Sequence, residues 1–215
     1  MPIDIQNKMV FRITAVQNLE YILQNGLNCK KKAKTNDNYV NIGSSEIINR
    51  RDTMIVKCFT STVVNDFVPF YFAVRTPMLY NIITGHGIPA KPQEEIIYLC
   101  FKLIDLATDD FQWCFTDGNA ADKITQFFTD LDDLEKLDWH SIKTNDFRTN
   151  NADGDEDRKR KKHSEFLVKD HVPIEYLKAI VVKNQKIEGH VQDILNQLGL
   201  KIPVYINPYQ KFYFT

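Results

Sequence analysis

Asp157-Arg158-Lys159-Arg160-Lys161-Lys162-His163-Ser164-Glu165-Phe166-Leu167-Val168-Lys169-Asp170 runs from a basic cluster straight into an apolar strand pattern, with one carboxylate, Glu165, at the seam. A carboxylate at the mouth of a strand is held by packing while its oxygens stay aimed at a cleft. The cations just before it attract an anionic substrate. The plainer reading is a solvated basic loop entering an edge strand, because charge runs usually solvate a face.

Downstream, Lys178–Lys183 is a predicted strand, and Ile187–Leu198 is a helix with Val191, Ile194, Leu195 and Leu198 inward, stopped by Gly199. Ile202–Ile206 and Lys211–Phe214 are expected as short closing strands. Upstream, Thr149–Asp157 is a loop of Asn, Asp and Gly, either a substrate-side flap or an inert surface loop. Leu131, Leu134 and Leu137 predict an acidic amphipathic helix ending near Trp139. Glu95–Phe101 and Gln112–Thr116 read as buried strands, the second running into a polar turn, Asp117-Gly118-Asn119-Ala120-Ala121.

Val63–Phe72 is apolar and aromatic but contains Pro69, which cannot donate a ladder hydrogen bond, so an edge or irregular strand is expected. Thr76 and Pro77 form an N-cap and first-turn pair for a helix through Met78, Leu79, Tyr80, Ile82 and Ile83 that stops at Gly85. Tyr71 and Tyr80 offer ring faces and Arg75 a planar fork for phosphate, or the whole run is aromatic core. Ser44–Arg51 reads as a Ser-capped helix whose last turn holds Arg50 and Arg51, a placement that dipole compensation alone accounts for. At the N-terminal end Val10–Thr14 is a strand, and Thr14 with Gln17 has the capping-box pattern of a following helix that ends at Gly26. Arg12 and Thr14 are thereby expected at a helix N-terminus, where anions bind.

At 215 residues and a formal net charge of −1, the chain has room for one well-buried domain, spanning 1–215, and any electropositive footprint is local. The footprint is confined to Lys30–Lys34 and Arg158–Lys162, offset by Asp130–Asp138. Cys29, Cys58, Cys100 and Cys114 form no CxxC pair, which points to free thiols in a reducing cytoplasm and to no structural zinc or other metal. No apolar run has the length of a signal sequence or membrane span. Strands and helices intermingle without βαβ alternation, and there is no P-loop or GxGxxG, so the fold class is α+β.

Taken together, Asn41-Ile42-Gly43 leading to Ile48-Asn49-Arg50-Arg51, Val68-Pro69-Phe70-Tyr71-Phe72 with Pro77-Met78-Leu79-Tyr80, Phe115-Thr116-Asp117 and Glu165-Phe166-Leu167-Val168 carry a family likeness. The sequence resembles the DarT family of bacterial DNA ADP-ribosyltransferase toxins, from Phe11 to the aromatic C-terminus. That resemblance implies an ADP-ribosyltransferase fold, two small, mostly antiparallel sheets split around an NAD cleft with helices outside. It also implies NAD as co-substrate, loss of nicotinamide, and attachment of ADP-ribose to a base of single-stranded DNA, thymine favoured over guanine. Glu165 matches the family's catalytic glutamate and Arg51 its essential arginine, which presents the base. Thr14, Tyr71 and Met78 match the NAD-holding lining. Arg12 and Asn119 stand where many members have histidines, which leaves the adenosine and base contacts open. Arg12 is assigned with the NAD pocket; Arg50, Arg75, Asn119, Arg158, Lys159 and Arg160 are assigned to DNA, Arg75 alternatively to fixing its turn. The resemblance further implies a macrodomain antitoxin that removes ADP-ribose. Two alternatives stay open: transfer to a protein or RNA acceptor on the same fold, and an inactive nucleic-acid-binding module.

Overall fold

The computed structural model describes residues 3–33 and 38–215, so Lys34, the last cation of the first basic cluster, lies outside the described residues. In chain order the elements are β1 (Met9–Ala15), α1 (Leu19–Asn25), β2 (Leu27–Asn28), α2 (Ser45–Arg51), β3 (Phe67–Tyr71), α3 (Pro77–Thr84), β4 (Ile96–Lys102) and α4 (Leu103–Leu106). They continue with β5 (Trp113–Thr116), β6 (Phe127–Phe128), α5 (Trp139–Lys143), α6 (Arg158–Lys162), β7 (Glu165–Lys169), β8 (His171–Val172), β9 (Leu177–Val182), α7 (Gln185–Gln197) and β10 (Val204–Ile206).

Eight strands form one sheet in the order β10-β9-β4-β1-β3-β7-β5-β6, antiparallel throughout except where β10 runs parallel to β9. The α+β class is thus observed. The expected split lies between β1 and β3, which share a single register pair, Phe11 with Tyr71. On the far sides the pairing is continuous: β1 pairs with β4 over its whole length, and β3 with β7.

Pro69 explains the gap. β3 is a central strand, contrary to the expected edge position, and its residues alternate between partners. The Pro69 carbonyl faces β1, where it accepts from Arg12 Nη1 at 3.3 Å, so the missing N–H falls on the open side and costs no ladder bond to β7. β7 is likewise central rather than an edge.

Strand alternation sends Val68, Phe70, Phe166 and Val168 into a large core shared by both halves of the sheet. On the opposite face two smaller cores form, one around Ile13, Tyr98 and Leu79 of α3, the other around Phe67, Leu167 and Cys114. Each fully buried large side chain contributes roughly 1.5–3 kcal/mol. Tyr71 and Glu165 lie on this second face, between the two smaller cores.

Local signals were followed closely in places. Thr76 Oγ1 accepts from Leu79 N at 3.4 Å, Pro77 opens α3 and Gly85 ends it with φ +74. Elsewhere competing bonds won. Thr14 makes no capping box, because its hydroxyl accepts from Asn18 Nδ2 and a 3-10 turn, Val16–Asn18, intervenes before α1. Ser44 precedes α2 without a side-chain cap bond. Leu131–Lys136 is a 3-10 helix capped by Asp130, as leucines at i, i+3 and i+6 suit three residues per turn, and α5 begins rather than ends at Trp139. Lys211–Phe214 forms no strand: Tyr213 is buried and donates its hydroxyl to the Ile96 and Val181 carbonyls instead.

Candidate active site

Glu165 begins β7 with its side chain 2 % exposed, and everything holding it comes from distant segments. Arg51, the last residue of α2, donates Nη1 to both carboxylate oxygens, at 3.2 Å to Oε1 and 2.9 Å to Oε2. Ala120 N donates to Oε1 at 3.1 Å. Thr116 Oγ1 accepts from Glu165 N at 3.0 Å and donates to the Gly118 carbonyl at 2.6 Å, so one hydroxyl ties the strand end to the turn that wraps the carboxylate. Two charge-assisted donors on one carboxylate fix its rotamer before any substrate arrives.

The approach of α2 is set by Asn65, whose Nδ2 donates to the Ile48 carbonyl at 2.8 Å and to Asp52 Oδ1 at 2.7 Å. Arg51 serves both oxygens of Glu165 through one nitrogen, which leaves Nη2 buried without a protein partner. That spare donor beside a carboxylate is the feature of the site that calls for a ligand oxygen.

Tyr71 is in register with Glu165 across β3 and β7, and its hydroxyl donates to Met78 Sδ at 3.1 Å. Burial pushes its phenol well above the ordinary range, with the neighbouring carboxylate adding to the effect, so it is a neutral donor. Tyr71, Met78, Glu165 and Arg51 are therefore brought together. Arg12 reaches the gap from β1 by its bond to Pro69. Thr14 does not share this arrangement: it is buried on the large-core side, tied to Asn18.

The cluster Arg158–Lys162 is not a solvated run, whereas Lys30, Lys31 and Lys32 stay exposed. Arg158 is 4 % exposed and pairs with Asp153, while Lys162 is 1 % exposed and donates to the Ile142 carbonyl. Arg160 spans Asp157 and Asp117, and Lys161 spans Asp155 and Asp138. Carboxylates from three segments, Asp117, Asp138 and Asp153–Asp157, fold onto a short helix, α6, and neutralise it, which a solvated loop would not show. Lys159 is the exposed member. Lys30, Lys31 and Lys32 pair with Asp52, Asp66 and Asp170. Arg75, at φ +52, donates its guanidinium to the Gln210 carbonyl, which is the turn-fixing alternative, and Arg50 stays exposed beside Glu46.

Asn119 spends its Oδ1 on Ala121 N within the turn. The Thr149–Asp157 loop is internally tied: buried Asn151 donates to the Arg148 and Asp155 carbonyls. Gly118 lies so close to Arg160 that a Cβ there would meet its Nη1 at 2.3 Å, and this contact packs the carboxylate-wrapping turn onto α6.

His163 was passed over in the sequence. Its Nδ1 lies 3.1 Å from the Lys159 carbonyl, which can only accept, so Nδ1 carries the proton, and its ring lies 6.1 Å from that of Tyr71. Burial lowers its pKa to about 4. With a folded value below the unfolded one of about 6.5, the protein binds fewer protons than its unfolded chain between these limits, so stability is lost as pH falls through that window. Urea unfolding at pH 7 and pH 5 checks this: wild type is expected to lose more stability than His163→Gln, and equal losses would dismiss the imidazole as the cause.

All four cysteines are free. Among the described residues no group of His, Cys, Asp and Glu is placed to hold a metal ion, and no helix is long and apolar enough to cross a membrane.

A mostly antiparallel sheet split at its centre, with a buried glutamate at the lip and an arginine clamped to it, defines an ADP-ribosyltransferase-like α+β enzyme. The family model described as "ssDNA thymidine ADP-ribosyltransferase, DarT" matches residues 11–214, and the chain belongs to this family. A DNA ADP-ribosyl transferase of Escherichia coli O127:H6 is 34 % identical over 202 residues, 93 % of this chain and 91 % of that one. The Thermus sp. 2.9 DarT in complex with ADP-ribosylated ssDNA superposes with a TM-score of 0.86 at 27 % identity over 97 % of both chains, and the same protein has been solved in complex with NAD+. A fusion protein of Thermosipho africanus, DNA ADP-ribosyl transferase joined to DNA ADP-ribosyl glycohydrolase, is 26 % identical over 210 residues, and the match covers 48 % of its length.

Proposed function

We propose that this chain uses NAD to ADP-ribosylate thymine in single-stranded DNA, with Glu165 and Arg51 as its catalytic pair. The single observation that carries the residue assignment is the buried Arg51–Glu165 contact with one arginine nitrogen left over. The gap between β1 and β3 suits a dinucleotide: Tyr71 and Met78 form its wall, and Glu165 is fixed where a ribose hydroxyl can donate to it. As the bond from ribose to nicotinamide breaks, positive charge develops on the ribose, and the preorganised carboxylate stabilises it. Thymine in a DNA strand has one ring N–H, at N3. N3 bonds to the ribose carbon as that carbon's bond to nicotinamide breaks; nicotinamide departs with the bonding electrons, and the N3 proton passes to solvent water. Arg51 is always charged and makes a poor base, so its role is to orient the base and offset its developing negative charge through Nη2.

Single-stranded substrate spares the cost of unpairing the base. For DNA contacts the exposed Lys159 and Arg50 are retained; Arg158 and Arg160 brace the site from inside. The partner we assign is a hydrolase that removes ADP-ribose from DNA, supported by the glycohydrolase half of the Thermosipho fusion, and the setting is the cytoplasm, where NAD and DNA meet.

Incubation of the protein with NAD and a thymine-containing oligonucleotide, followed by mass spectrometry, is expected to show one ADP-ribose adduct on thymine. Equal labelling of added protein or RNA in the absence of DNA would transfer the reading to another acceptor. Growth arrest on expression, relieved by a DNA ADP-ribose hydrolase, is the expected cellular result.

A further inference from the structure

Tyr209 is 88 % exposed, more than any other large apolar or aromatic side chain among the described residues, and it is not loosely held. It sits in the turn Pro208–Gln210 at φ +54, between Asn207 at φ +31 and Gln210 at φ +52, a backbone region that L residues rarely adopt. Such a conformation persists only where its surroundings impose it, and here they do. Asn207 N donates to the Val182 carbonyl, Asn207 Oδ1 accepts from Phe212 N, Tyr98 donates its hydroxyl to the Phe212 carbonyl, and Arg75 grips the Gln210 carbonyl. The outcome is a rigid pedestal that holds an aromatic ring in water. Lys211 Nζ stands 5.5 Å from that ring's centroid, with no carboxylate at ion-pair distance among the described residues, unlike the lysines at 30–32 or 161.

The pedestal borders the gap. Phe212 packs edge-on against Phe11 at 5.6 Å, and Phe11 is the β1 residue paired with Tyr71. Strand alternation puts Phe11, Tyr71 and Glu165 on one face, so the turn shares a face with the carboxylate. A fixed ring next to an unpaired cation matches what a single strand presents, since every base has a face to stack and each is followed by a phosphate.

We propose that Tyr209, with Lys211, is a stacking platform for a nucleotide flanking the thymine that reacts. This rests on the DNA-modifying reading above. The platform tolerates any base, so it extends the footprint on DNA without narrowing sequence choice.

The test measures affinity for fluorescent oligonucleotides together with ADP-ribosylation of the same strands. Tyr209→Ala is expected to bind a strand of about ten nucleotides roughly tenfold more weakly and a single thymidine nucleotide, which has no flanking base, as well as wild type, with NAD affinity unchanged by calorimetry. Tyr209→Trp should keep full affinity, its emission quenched on binding, and Lys211→Ala should flatten the salt dependence by about 0.7. Wild-type affinity of Tyr209→Ala for the longer strand overturns the platform and leaves the ring to a protein partner; equal loss on both lengths overturns it too. Failure of wild type to label any DNA is a different result, which removes the functional reading itself.

Discussion

Glu165→Gln is expected to lower ADP-ribosyl transfer by at least a hundred- to thousand-fold while changing NAD affinity far less. The amide keeps the shape of the carboxylate and an acceptor for Ala120 N and Arg51, so the turn and α2 stay in place. It loses the negative charge that matters when the ribose becomes cationic, and one such electrostatic contact in a water-poor site is worth about 3–4 kcal/mol. Single-turnover labelling of a thymine oligonucleotide, with NAD affinity by calorimetry, separates the two effects. Near wild-type labelling by a folded variant would remove Glu165 from the chemistry.

Arg51→Ala is expected to fail twice, in activity and in stability. Glu165 would be left with one backbone donor while remaining buried, and stripping one member from a buried ion pair costs about 3–5 kcal/mol. The stability part has a signature: Glu165→Gln added to Arg51→Ala should recover much of the loss, because the uncompensated charge is gone. A double-mutant cycle in urea reads this as coupling, and strict additivity would show that the pair does not hold the fold. The activity part is read in Arg51→Lys, which keeps a charge but lacks the second guanidinium nitrogen proposed to serve the acceptor. Its DNA modification should drop far more than its NAD affinity. Equal loss of both would transfer Arg51 to the NAD pocket.

Residues whose environment is set within a few positions were legible in the sequence. Thr76 and Pro77 cap α3, Gly85 ends it, and Ile96 to Phe101 is buried on both faces because it is apolar throughout. The resemblance named Glu165 and Arg51, which lie 114 positions apart, but nothing in the wording of either segment said that they touch. What the sequence hid was pairing across distance. Arg158, Arg160 and Lys162 read as solvated because the groups that take them in belong to other segments: Asp153, Asp117 and the Ile142 carbonyl. Pro69 read as an edge residue for the same reason, since which side of β3 lacks a ladder depends on β1. His163 had no signal at all; its neutrality comes first from burial, with the charges of Lys159 and Lys162 adding to it.

The single register pair between β1 and β3 has a mechanical consequence. Two plates, stiffened next to the gap by the unbroken β1–β4 and β3–β7 ladders, meet at one register pair, and a shared apolar layer beneath keeps them from parting. The least costly motion is then a pivot about Phe11 and Tyr71 that changes the width of the opening above without breaking a ladder bond. Such a pivot moves Arg12 against Pro69 while Glu165 and Arg51, both seated on the β7 side, travel as one piece. A change in the width of the opening would thus leave the internal geometry of the Arg51–Glu165 pair intact.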